Sequence, residues 1–244
     1  MAKPLSGKVA LVTGASRGIG AAIARRLADD GADIAISYTA SSGKAEAVVA
    51  DLKSKGVRAE AFKADQADVK AAARLIDDVA AKFGRLDILV NNAGVFVGGD
   101  ASEEEFDRQF RVNVASVAAA VRAAAKHLPE GGRIVTIGSN LGALVPFSGL
   151  ADYSATKAAV AGYTKGWARD FGPKAITVNV VQPGPVTTDM NPGEGEFGDL
   201  QRSRTALGRY GRPEEIAAAV AFLAGPEAGF ITGAALTVDG GFNA

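Results

Sequence analysis

Apolar and polar positions along this chain alternate in two rhythms. Short runs rich in Val, Ile and Ala recur at 9–13, 33–38, 58–63, 88–91, 133–137, 177–181 and 235–238. Apolar runs of that length, bounded by turn residues, read as strands buried on both faces. Between them, at 18–29, 43–55, 69–83, 103–127, 152–171 and 213–223, apolar residues return every three or four positions. That period predicts amphipathic helices. Ser102 followed by Glu105 is a capping-box pattern, and Pro213 with Glu214 and Glu215 marks a helix start. Strand and helix in alternation predict parallel βαβ units with right-handed crossovers, hence an α/β, doubly wound sheet. Residues 190–203 break the rhythm and are rich in Gly and Glu, which predicts a loop or short helix inserted as a small lid near 188–208. With no repeat and no linker, residues 1–244 are expected to form a single domain.

Composition narrows the picture. Lys plus Arg equals Asp plus Glu, at 27 each, so no broad charge draws the chain to nucleic acid or an anionic membrane. No uninterrupted apolar stretch is long enough to span a bilayer, and residues 1–8 carry no signal-peptide pattern. The absence of cysteine removes disulfides and thiolate metal sites and suits a reducing cytoplasm. No His, Asp and Glu cluster has metal-ligand spacing. The one histidine, His127, stands near a helix end and reads as a capping or surface residue, so the usual neutral-pH acid/base is nearly absent.

The 30 glycines cluster at the ends of apolar runs. After the first run comes TGASRGIG, with Gly14, Gly18 and Gly20 leading into a helix. Glycines there permit a tight turn and let backbone approach a pyrophosphate at the helix N-terminus, where free N–H groups and the dipole favour anions. The spacing is G-x-x-x-G-x-G rather than the G-x-G-x-x-G of many dinucleotide sites. Sites for NAD place a carboxylate near the end of the second strand for the adenosine ribose. Here that stretch is Ser37-Tyr38-Thr39-Ala40-Ser41-Ser42, with hydroxyls and no carboxylate, and Asp33 lies at the wrong end. Arg17 in the glycine loop suits a 2′-phosphate, so the expected cofactor is NADP(H).

Tyr153 and Lys157 are four apart and share a helix face. Ser139 follows the apolar run 133–137. A phenol, a cation and a hydroxyl so placed can move a proton to or from a carbonyl or alcohol oxygen. Each piece alone is ordinary: an i, i+4 pair is usually a surface contact and a strand-end Ser a turn.

Taken with TGASRGIG, the pieces NNAG at 91–94, Asn113, Ser139, YSATK at 153–157, Pro183-Gly184 and the C-terminal TVDGG resemble the short-chain dehydrogenase/reductase family, in its ketoreductase-like branch. The resemblance spans nearly the whole chain. It implies a three-layer Rossmann-like fold with a seven-stranded parallel sheet, and a homotetramer. It assigns Asn113, Ser139, Tyr153 and Lys157 to the catalytic tetrad. It implies a cofactor channel of Gly14, Ser16, Arg17, Gly18, Ile19, Gly20, Tyr38, Thr39, Ala40, Ser41, Asp65, Gln66, Asn91, Ala93, Gly94, Tyr153, Lys157, Pro183, Gly184, Val186 and Thr188. Asp65 would meet the adenine, and the segment 183–188 the nicotinamide carboxamide.

The expected reaction is reduction of a ketone to a secondary alcohol, with Tyr153 as general acid, Ser139 steadying the oxygen and Lys157 lowering the Tyr153 pKa. Asn113 would hold a water of a proton relay. Leu141, Leu144, Val145, Phe147, Leu150, Met190 and Phe197 are candidate pocket liners, mostly apolar, which favours a neutral small-molecule carbonyl substrate. Arg202 or Arg204 would be the cation for an acidic one. The branch includes 3-oxoacyl carrier-protein reductases, but Lys126 beside Glu130 and Arg169 beside Asp170 make a weak dock for an acidic carrier. The other readings are an NAD-dependent secondary alcohol dehydrogenase and a non-catalytic dinucleotide sensor. Trp167 and Phe171 read as helix packing, Asp77 and Asp78 as a solvated face, and Asp107 with Arg111 as an exposed pair. The Ala-rich stretch 114–125 suits close packing within the chain or against a partner.

Overall fold

Seven strands carry the apolar runs: β1 (Val9–Val12), β2 (Asp33–Tyr38), β3 (Ala59–Lys63), β4 (Ile88–Asn91), β5 (Arg133–Ile137), β6 (Thr177–Pro183) and β7 (Ala235–Val238). In the computed structural model, which describes residues 3–244, they form one parallel sheet in the order β3-β2-β1-β4-β5-β6-β7. Residues 1 and 2 of the N-terminal stretch lie outside the described residues. β1 pairs with β2 on one side (Leu11 opposite Ala35) and with β4 on the other (Leu11 opposite Leu89). The chain therefore reverses its direction of travel across the sheet at β1, and the crevice beyond the carboxyl ends of β1 and β4 is where such a sheet binds ligands.

The helices are α1 (Gly18–Asp29), α2 (Ser42–Ser54), α3 (Val69–Phe83), α4 (Glu103–Phe110), α5 (Ser116–Ala124), α6 (Ala151–Phe171), α7 (Gly195–Arg204) and α8 (Pro213–Ala224). Local chemistry starts and stops them. Asp68 accepts from the Lys70 and Ala71 amides at the head of α3, and Gly84, left-handed at φ 79°, ends it. Ser102 and Glu105 close the expected capping box on α4. One core layer packs α1, α2 and α8 on the sheet through Ile23, Leu27, Leu52 and Val220. The other packs α3, α5 and α6 through Ile76, Val79, Val121 and Trp167. The alanines at 118, 120, 123 and 124 lie in this second layer, so the Ala-rich stretch meets the chain's own helices. Phe171 packs beside it, and Trp167 stacks on Tyr163, as packing residues. At the foot of the sheet, Asp87 accepts from the Val9 amide and takes two bonds from Arg85, tying β1 to β4.

The structure corrects the element at 103–127. It is not one helix: a π-helical turn, Arg111–Ala115, separates α4 from α5. The wider turn inserts a residue without changing the apolar composition that predicted a continuous helix. Arg111 donates to the Asp107 backbone oxygen at 3.3 Å instead of pairing with its carboxylate. β6 runs on to Pro183, two residues past the predicted end, and the inserted segment holds a three-turn helix, α7. His127, Asp77 and Asp78 are exposed, as the sequence reading expects, and His127 bonds Asp77 on that surface at 2.7 Å. Among the described residues no helix is long and apolar enough to cross a membrane, and no group of His, Asp and Glu could hold a metal.

Candidate active site

The loops after β1 and β4 touch. Gly14 has φ 64°, and a Cβ there would lie 2.9 Å from the Ala93 Cα, so both its conformation and its space exclude a side chain. The Thr13 hydroxyl accepts from the Asn92 and Ala93 amides at 3.0 and 3.1 Å. Asn92 Nδ2 donates to the Thr13 and Gly14 carbonyl oxygens at 2.8 and 3.2 Å. These contacts are local to the two loops, yet nothing in the spacing of either motif assigned a role to the Thr13 and Asn92 side chains. α1 then begins with no side-chain cap, which leaves its first-turn amides to an anion.

A cavity of about 570 Å³ follows the carboxyl ends of the strands. Every residue expected in the cofactor channel lines it except Asn91. Asn91 is the last residue of β4, buried in the sheet, and donates to Thr136 instead. No carboxylate follows β2 along this wall: Tyr38, Thr39, Ala40 and Ser41 do. Gln66 Nε2 is buried without a hydrogen-bond partner, a donor left for a ligand. Arg17 reaches across to Asp189 at 3.0 Å, and Lys44, to which the sequence pattern assigned nothing, reaches the same carboxylate at 3.3 Å. An uncapped helix start, a free buried amide donor and two cations fit a phosphorylated dinucleotide.

Ser139 and Lys157 are buried on the wall beside half-buried Tyr153. Ser139 caps the short turn Asn140–Gly142, its hydroxyl accepting from the Leu141 amide at 3.1 Å. Gly142 lets that turn lie against α6, since a Cβ there would meet the Lys157 backbone at 2.9 Å. Lys157 Nζ donates to the Ile137 carbonyl oxygen at 3.0 Å and sits 5.7 Å from the centre of the Tyr153 ring. Asn113 stands behind the wall, not on it. Its Oδ1 accepts from the Val95 amide, and its Nδ2 donates to the Val95 oxygen and to Thr156 Oγ1 at 2.9 and 3.1 Å. Thr156 in turn donates to the Tyr153 carbonyl oxygen. The π-turn is what carries Asn113 to that position.

The expected depression of the Tyr153 pKa is not what the folded protein imposes by itself. Burial pushes the phenol up to about 12, with the Ser139 hydroxyl pulling weakly the other way, and burial pushes Lys157 down to about 8. Tyr153 keeps some exposed area, yet protein surrounds it densely, so desolvation outweighs the Ser139 hydrogen bond.

Of the substrate liners, Leu141, Phe147, Leu150, Met190 and Phe197 face the cavity. Leu144 and Val145 do not; they point to solvent, because the turn after Ser139 carries them past the rim. Arg202 is held by the Gly193 carbonyl oxygen and Asp199, and Arg204 lies over the Phe147 ring at 4.9 Å, so neither presents a cation to the cavity. Phe96, edge-on to Tyr153 at 5.2 Å, and Phe242 also line it, as does Arg108. Asn243 donates to the Asn140 carbonyl oxygen at 2.9 Å and accepts from its side chain at 3.3 Å, bracing the Ser139 turn from the C-terminus. A pairing between residues 103 apart leaves no signal in local spacing.

A family model described as enoyl-(acyl carrier protein) reductase matches residues 14–243. The chain is 47% identical over 242 residues to the cyclic-di-GMP-binding biofilm dispersal mediator protein of Escherichia coli (strain K12), covering 98% of each. It matches a short-chain dehydrogenase from Burkholderia cenocepacia J2315, solved in complex with NADP, with a TM-score of 0.97, 55% identity and coverage of 99% and 100%. A blue fluorescent protein from a metagenomic library, solved with NADPH, matches with a TM-score of 0.97, 47% identity and the same coverage.

Proposed function

This chain belongs to the short-chain dehydrogenase/reductase family, and from that premise we propose that it reduces a neutral ketone to a secondary alcohol. It is an NADP-dependent oxidoreductase, and the bound cofactor supplies or accepts the hydride. The glycine loop and the α1 amides hold the pyrophosphate, and Gln66 Nε2 is free to meet the adenosine end. Tyr153, protonated at neutral pH, gives its proton to the carbonyl oxygen while Ser139 donates a hydrogen bond to the same atom. Lys157 presents its charge to the phenol and to the cofactor ribose. Asn113 has both Nδ2 protons engaged, while Oδ1 keeps one lone pair for the water of a proton relay.

The observation that carries this reading is the meeting of Ser139, Tyr153 and Lys157 on the wall that also carries the glycine loop. The apolar, aromatic mouth formed by Phe96, Leu141, Phe147, Met190 and Phe197, with α7 as its lid, supports a neutral substrate. A panel of ketones followed by NADPH absorbance, with NADH in parallel, tests it. Turnover confined to an acyl-carrier thioester would replace it with a 3-oxoacyl carrier-protein reductase, for which Arg108 on the cavity wall is a candidate cation. Tyr153→Phe is expected to keep NADPH affinity and lower kcat at least ~100-fold, the usual scale of a lost general acid; near-wild-type kcat would sink the mechanism.

The 47% identity to the cyclic-di-GMP-binding Escherichia coli relative favours a second reading, that the groove also binds cyclic di-GMP. Displacement of NADPH in a fluorescence titration would support it, and absence of displacement would remove it.

A further inference from the structure

We propose that Asp189 is an internal competitor for the 2′-phosphate of NADP(H), and that Lys44 joins Arg17 in reading that phosphate.

Three separate segments meet at one carboxylate. Arg17 is the last residue before α1, Lys44 lies in the first turn of α2, and Asp189 follows Thr188 on the way to α7. Asp189 Oδ2 is 3.0 Å from Arg17 Nη1 and 3.3 Å from Lys44 Nζ. Arg17 and Asp189 line the cavity together with Thr39 and Ser41, the residues that follow β2. The hydrogen bonds from Arg17 and then Lys44 hold the Asp189 carboxyl below the usual range, so it is an anion throughout the neutral range.

The bridge is built to be exchanged. All three side chains are more than half exposed, at 59%, 58% and 56% for Arg17, Lys44 and Asp189. Exposed ion pairs of this kind hold their partners only weakly. Two cations against one carboxylate leave a net positive charge. A phosphate monoester carries close to two negative charges and three acceptor oxygens, and it satisfies a guanidinium and an ammonium better than one carboxylate oxygen does. With that dianion between Arg17 and Lys44, Asp189 becomes a like charge and loses both partners. NADH has no 2′-phosphate and leaves the bridge as it stands. Cofactor choice is thereby coupled to the segment that opens into the lid, where Thr188 and Asn191 exchange backbone hydrogen bonds.

Binding titrations of NADPH and NADH, read by nucleotide fluorescence at fixed ionic strength, test this without reference to turnover. Asp189→Asn is expected to lower Kd for NADPH about two- to fivefold, the equivalent of one exposed ion pair, and to change Kd for NADH less than about twofold. Lys44→Gln should raise Kd for NADPH by a similar factor and spare NADH. In the double variant the gain from Asp189→Asn should shrink, because part of what the carboxylate competes for is gone. Equal tightening of both cofactors by Asp189→Asn would reduce Asp189 to a general electrostatic effect and overturn the proposal. Weakened NADPH binding would make it a clamp on bound cofactor and overturn it as well. An unchanged NADPH Kd in Lys44→Gln would remove Lys44. Both substitutions are at exposed side chains, and melting temperatures within a degree or two of wild type would separate these outcomes from misfolding.

Discussion

Burial governs the two titrating residues of the site. Lys157 at about 8 and Tyr153 at about 12 are both displaced toward their neutral forms. In the folded chain Lys157 binds its proton less tightly than in the unfolded chain. Its contribution to stability is therefore present above the ordinary lysine value of 10.5 and is lost as pH falls through about 8. Tyr153 has the opposite sign: its contribution is intact below 10.0 and is lost as pH rises through about 12. At pH 7 a charged, buried Lys157 costs the fold up to about 3 kcal/mol, from a shift of this size at 1.36 kcal/mol per unit. Lys157→Met is thus expected to raise Tm while abolishing turnover, a trade of stability for activity checked by calorimetry and a ketone assay. Reduction by the wild-type protein should hold steady through neutral pH and decline as Lys157 discharges above about 8. Oxidation of the alcohol, which needs tyrosinate, should rise with pH toward about 12. A flat profile in both directions would count against the assignment.

At the scale of elements, the decisive feature is the π-turn Arg111–Ala115. The sequence shows an unbroken helical period there, because one inserted residue shifts the phase without altering composition. Capping signals were legible for the opposite reason: Ser102 with Glu105 and Pro213 act within a single turn. Asn113, placed by the π-turn, satisfies both backbone groups of Val95. Asn113→Ala should cost about 2 kcal/mol in urea unfolding even without substrate, since it orphans a part-buried amide and carbonyl. A substitution that removes activity with no change in stability would confine Asn113 to the chemistry. The lid was readable as a break in rhythm, as a loop or a short helix; the choice between them was not, because Gly195–Arg204 lacks an apolar stripe and is held by contacts such as Arg202 with the Gly193 oxygen and the edge-on approach of Phe197 to Phe147.

At the scale of the whole molecule, a groove between segments far apart in sequence must tighten when cofactor joins them. Saturating NADPH, at about a hundred times Kd, should add about 2.7 kcal/mol and raise Tm by roughly 5–10 °C for a chain this size. NADH at equal concentration should do less, and a larger shift with NADH would contradict the 2′-phosphate reading. β7 differs from the inner strands: its side chains alternate between exposed and half-buried, and Phe222 and fully exposed Phe230 lie outside the core. A homotetramer, as the family resemblance implies, is proposed to cover this surface. Light scattering should then give about four times the 24.8 kDa chain, and a monomer mass would dismiss it.

What the sequence by itself determined is what neighbours in sequence can encode. The strand–helix alternation, the glycine turn, the lack of a carboxylate after β2 and the Tyr153–Lys157 spacing all act within one strand or one helical turn. Tertiary structure decided the rest. Asp189 meets Arg17 and Lys44 across 172 and 145 residues, and Asn243 braces Asn140 across 103. The ionisation of Tyr153 and Lys157 followed the same rule: desolvation is set by every segment packed around a group, and no local pattern reports how many there are.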